Sequence, residues 1–106
     1  MSDPYLALTP DQLHQVLAVL RAFAPAHQAL AFGSRVRFEA DRHPVKPHAD
    51  LDIALAGKPM PIQDMFMLRD AFSESDLPFR VDVAMQEDLP AHWLEAMTWL
   101  PLSSHS

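Results

Sequence analysis

The sequence contains no cysteine, which removes disulfides, zinc–thiolate sites and thiol catalysis together. That absence fits a reducing cytoplasm. Glycine is nearly as scarce, with 2 in 106 residues, and Gly33 and Gly57 are each expected at a turn. Positive charge is also short: 8 Lys and Arg stand against 14 Asp and Glu, for a formal net charge of −6. The acids are spread along the chain, so an electrostatic grip on nucleic acid is not expected. A metal–nucleotide ligand held locally, or a basic protein partner, suits such a surface better. No apolar run approaches the length of a bilayer span, so no membrane insertion is expected. The N-terminus has no basic stretch followed by an apolar one, so no signal peptide is expected either.

What is present is ordinary for a folded chain: 49% apolar and 21% charged residues. A chain of this size buries about 65% of its unfolded surface, enough for one domain over residues 1–106 without covalent staples.

Thr9-Pro10-Asp11 reads as a helix start, with a hydroxyl cap, proline in the first turn and an acid near the positive end. Leu13, Val16, Leu17, Leu20 and Phe23 follow at helical spacing until Pro25. Gln28 to Phe32 is a short apolar run ending at Gly33, expected as a buried strand. Ser34 to about Phe38 is expected to begin a short second helix. Residues 40–49 cannot continue it, because Pro44 and Pro47 break regular structure.

Asp50 to Ala56 alternates, with Leu51, Ile53 and Leu55 on one face and Asp50, Asp52 and Ala54 on the other. A helix from Pro61 carries Ile62, Met65, Leu68 and Phe72 on one side. Phe79 to Met85 alternates again, setting Val81, Val83 and Met85 against Arg80, Asp82 and Ala84. Asp88-Leu89-Pro90 marks another helix start, continued by Leu94 and Met97, and Trp99 to Leu102 reads as a short edge strand that tolerates Pro101. The 103–106 tail is expected to fray. The fold expected is α/β (α+β): a small mixed sheet with helices packed on one face and the other face open for chemistry.

Asp50 and Asp52 lie on one strand face with Cα atoms roughly 7 Å apart. Held by a core-anchored strand, they repel unless a cation sits between them. Asp82 repeats the pattern between two valines. Should its strand neighbour the first, three carboxylates form an oxygen-rich site for magnesium. Two such ions about 4 Å apart clamp a nucleotide's phosphates and activate an attacking hydroxyl. Gly33-Ser34, where a strand opens into a helix, offers N–H groups and a hydroxyl to an anion. Arg35 and Arg37 follow where phosphate charge needs neutralising. Each part alone is commonplace, since an acid-x-acid strand is usually a solvated face and Gly-Ser usually a plain turn. Their ordered combination is more specific.

Phe32-Gly33-Ser34-Arg35-Val36-Arg37, then Asp50-Leu51-Asp52-Ile53-Ala54-Leu55, then Val81-Asp82-Val83 resemble the motifs of minimal nucleotidyltransferases, relatives of the DNA polymerase β superfamily. The resemblance implies that Asp50 and Asp52 bind both Mg2+ ions, that Asp82 completes the site, and that Gly33 and Ser34 hold the triphosphate of ATP. Arg35 and Arg37 match positions often basic in that family. It further implies pairing with a HEPN-domain protein as antitoxin with toxin, by transfer of AMP to a tyrosine hydroxyl. Two features depart from the family: the stretch from Arg35 to Ala49 is longer than usual, and Phe38 stands where glycine is common. A longer, proline-bearing loop implies altered acceptor choice or partial cover over the metals.

Plainer readings apply elsewhere. His43 and His48 share a loop but match no zinc spacing, and His14, His27 and His92 are expected at the surface or its boundary. Ser34 lacks the histidine and acid that would make it a nucleophile. Met65 and Met67 read as core or partner-facing, and Trp93 and Trp99 as core or docking surface. The alternative to an enzyme is an idle module of the same fold that neutralises a partner by covering it.

Overall fold

The computed structural model describes residues 3–102; the expected fraying of 103–106 lies outside the described residues. Helix α1 (Pro10–Phe23) starts as its sequence dictates. The Thr9 hydroxyl accepts from the Gln12 backbone N–H at 3.1 Å, and the Gln12 side chain accepts from the Thr9 N–H at 3.0 Å. This reciprocal pair satisfies two otherwise orphaned donors. Strands β2 (Gln28–Phe32) and β4 (Leu51–Ala56), helix α2 (Ile62–Ser73) and strand β5 (Val81–Met85) fall close to where hydrophobic periodicity places them. A short helix α3 (Trp93–Ala96) and edge strand β6 (Leu100–Leu102) follow.

The four-stranded sheet runs in the order β5-β4-β2-β6. β4 and β5 are parallel, while β2 is antiparallel to both β4 and β6. Helix α2 makes the crossover that two parallel neighbours require. This is a small mixed sheet in an α/β architecture, compatible with a nucleotidyltransferase-like fold. Leu51, Ile53 and Leu55, all fully buried, meet Val16 and Leu20 of α1 and Met65, Leu68 and Phe72 of α2 on one face.

Three expectations need correction. Ser34 to Phe38 does not open a helix. A single 3-10 turn, Gly33–Arg35, leads at once into strand β3 (Val36–Arg37), which pairs antiparallel with strand β1 (Tyr5–Leu6). Arg35 is drawn inward there, and the β-branched Val36 favours extended backbone.

The second sheet face is not left open. Phe32 lies on it beside Asp52 and is buried under Trp93 and Trp99, with ring centroids 6.1 and 4.7 Å away. The Trp99 indole N–H donates to the Trp93 carbonyl at 3.2 Å, fixing the covering segment. Ala54 is fully buried on the same side.

The Asp88-Leu89-Pro90 start yields a 3-10 turn (Gln86–Asp88), and only Trp93–Ala96 is α-helical. Leu94 therefore faces solvent, 54% exposed, rather than continuing an apolar stripe.

Candidate active site

Asp52 and Asp82 come from adjacent parallel strands in direct register, the pair standing between Leu51↔Val81 and Ile53↔Val83. Neighbouring strands run about 4.8 Å apart, so the two side chains leave the same face side by side. Asp50 lies one residue before β4 and is exposed. The strand start is pinned from both directions: the Leu51 N–H donates to the Arg80 carbonyl at 2.9 Å, and the Ala49 carbonyl accepts from Arg35 Nε at 2.7 Å.

The Asp52 carboxyl is pushed above the usual carboxylate range, first by burial and then by repulsion from Asp82 and Asp50. A group of hard oxygen donors carrying more negative charge than its surroundings balance is the donor set a divalent cation relieves. The chemistry of these residues therefore fits magnesium. Among the described residues no three such side chains already converge as a ready-made ligand group. Like charges keep apart, and Asp82 turns instead to Arg80, whose Nε donates to its Oδ1 at 2.9 Å. Arg80 is the functional neighbour that motif reading passed over. Its position two residues before Asp82 on the same strand face was the available signal.

Gly33 takes φ +83°, a left-handed conformation that side chains rarely adopt. A Cβ there would overlap Asp52 Oδ2 and lie 3.3 Å from Asp52 Cγ. Glycine is thus required twice at this corner, by backbone conformation and by the acid packed under it. Ser34 follows, exposed. With only one 3-10 turn behind them, these residues lack the aligned dipole of a helix. What they offer is room and a hydroxyl.

Arg35 and Arg37 have a different task from the one their motif positions imply. Arg35 is 5% exposed, and its guanidinium donates to the carbonyls of Ala49, Ala7 and Pro47 at 2.7, 2.8 and 2.9 Å. It also stacks 4.0 Å over the Phe79 ring. Burial lowers its pKa, partly opposed by Asp50. Arg37 pairs with Asp41 at 3.5 Å and donates to the His43 carbonyl. Both arginines tie down the long loop. Neither lines the cavity that holds Asp52 and Asp82, and Asp50 does not line it either.

That cavity, of about 280 Å3, runs from Gly33, Asp52 and Asp82 to an apolar wall of Phe32, Leu89, Trp93 and Met97. Carboxylates at one end and an indole at the other suit a ligand with a charged, metal-binding part and a flat ring.

Mixed sheet, glycine corner and register-matched acids are compatible with the nucleotidyltransferase-like arrangement that the sequence motifs resemble. Comparison with known proteins finds a relative of which the chain spans less than two thirds. The chain is 38% identical over 79 residues to the probable protein adenylyltransferase MntA of Haemophilus influenzae, a match covering 74% of this chain and 65% of that relative. No family model matches the chain. No helix among the described residues is long and apolar enough to cross a membrane.

Proposed function

We propose that this protein transfers AMP from ATP to a hydroxyl of a protein partner, with Asp50, Asp52 and Asp82 as the metal-binding and catalytic acids. The observation that carries the reading is the register match of Asp52 with Asp82 beneath a positive-φ glycine. The relative's name supports it. Gly33 gives a phosphate close approach and Ser34 adds a hydroxyl donor. Trp93, beside Leu89 and Met97, offers the adenine an apolar wall. Asp50, Asp52 and Asp82 would hold two Mg2+ ions, which would neutralise phosphate charge and make the acceptor hydroxyl more acidic.

The acceptor oxygen forms a bond to the α-phosphorus and gives its proton to the Asp82 carboxylate. The bond from the α-phosphorus to the bridging oxygen breaks, and pyrophosphate leaves with that electron pair. The acceptor hydroxyl in this reading is carried by another protein. A HEPN-domain toxin in the cytoplasm, silenced by an antitoxin, is the partner the motif resemblance implies.

The test is incubation with labelled ATP, Mg2+ and the protein encoded beside it, followed by mass spectrometry. The expected result is one or more added AMP groups on the partner, lost in Asp52→Asn. ATP with Mg2+ is also expected to quench the fluorescence of Trp93. Neither transfer nor quenching would leave the idle module, in which Asp82 stays bound to Arg80, as the better account.

A further inference from the structure

A broad concavity lies on the other side of Asp82, where β5 is the outermost strand of the four-stranded sheet among the described residues. It measures about 730 Å3 and runs between β5 and the second half of α2, lined by Arg69, Ser73, Phe79, Arg80 and Asp82 among others. The parallel ladder fixes which backbone groups of β5 face it. The Leu51 N–H bonds the Arg80 carbonyl, so residues 80, 82 and 84 turn their backbone groups to β4. Val81, Val83 and Met85 then turn theirs outward.

The side chain of Arg69 confirms the direction, because its Nε and Nη2 reach the Val83 carbonyl from outside at 3.2 and 2.8 Å. Outward groups recurring every second residue, about 6.7 Å apart, match the backbone spacing of another extended chain, although the residues that carry them are only 9%, 3% and 5% exposed. Ile62 and Phe66 continue the Arg69 face of α2 toward its start and are 74% and 60% exposed. The cations facing this groove are Arg69 and Arg80, in a chain whose net charge is −6.

We propose that an extended segment of the protein acceptor adds as a strand to the free edge of β5, with an acidic side chain meeting Arg69 and its hydroxyl residue delivered beside Asp82. This rests on the transfer reading above and names how the acceptor is held. In the free protein Arg69 occupies the Val83 carbonyl, protecting an edge that would otherwise invite aggregation. The incoming strand replaces that contact and leaves the guanidinium to a carboxylate.

The full chain, labelled with 15N and free of nucleotide and metal, is titrated with short synthetic peptides in which valine alternates with glutamate and tyrosine. Versions carrying lysine for glutamate, or N-methylated at alternate amides, complete the series. The expected result is that the Val81 and Val83 amides shift and gain about tenfold protection from exchange. The glutamate peptide binds about tenfold tighter than the lysine one. N-methylation abolishes binding in one alternate set and not in the other.

Unmoved Val81 and Val83 amides with every peptide, or indifference to N-methylation, overturns the proposal and leaves Arg69 as an edge cap alone. AMP transfer to a partner with these amides unprotected overturns it while the transfer reading stands. Register-dependent peptide binding without any transfer supports the groove and counts against the transfer reading.

Discussion

The Asp52 side chain packs under Gly33 so closely that no residue with a Cβ fits at 33 without displacing it. The acid and the glycine are parts of one device: β2 ends where β4 presents its carboxylate, and the pairing Phe32↔Asp52 is the last rung between them. Gly33→Ala is therefore expected to cost about 1–2 kcal/mol through backbone strain alone. It is also expected to weaken Mg2+ binding at Asp52. Thermal melts with and without Mg2+ separate the two effects, and an unchanged metal response would count against the coupling.

Asp52→Asn is expected to stabilise the metal-free protein. Burial and two neighbouring acids raise the pKa of Asp52 in the folded state. A carboxyl so raised holds its proton more tightly folded than unfolded. Its favourable contribution is complete below the unfolded pKa and lost as pH rises through the folded one, leaving a penalty at neutral pH. The group is only partly buried, so the gain at pH 7 is expected to be about 1–3 °C in Tm. The variant's advantage should vanish below pH 4, and added Mg2+ should no longer shift its melting. A lower Tm at pH 7 would contradict this.

Arg80→Gln releases Asp82 from its ion pair. Mg2+ is then expected to bind about two- to fivefold tighter, the modest effect appropriate to an exposed pair. Isothermal titration at low ionic strength reads it directly, and weaker binding would mean that Arg80 assists the cation's ligands rather than competing for one.

Arg35→Met is expected to be the most damaging of these changes, at about 3–5 kcal/mol, because three carbonyls lose a charged donor in a buried setting. Arg35→Lys keeps the charge but not the fork. It is expected to fold with reduced stability and with Asp50 less well placed, lowering Mg2+ affinity. Urea midpoints for both variants, with Mg2+ titration of the lysine form, check this.

Much of the sheet was legible in the sequence because Asp50 to Ala56 and Phe79 to Met85 alternate cleanly, and a period of two assigns each side chain a face. That the two strands neighbour each other was only a condition in the sequence, because a crossover helix permits a parallel neighbour without fixing which strand it is; the structure supplies the pairing. The β1–β3 pair was not legible, since two residues on each strand carry no periodicity. The cover over the second face was hidden for a related reason: Trp93 and Trp99 act through contact with Phe32, which is distant in sequence. Arg35 misled because its motif position speaks for phosphate, whereas its fate was decided by carbonyls of the N-terminal segment and the long loop.

Tying Pro47 and Ala49 to the Arg35 guanidinium separates two lengths that would otherwise be bound together. Residues inserted upstream of Pro47 lengthen an excursion whose far end is already moored, so Asp52 keeps its address opposite Gly33. The loop before Pro47 can thereby change in length, and with it the shape offered to a visiting macromolecule, without disturbing Asp52.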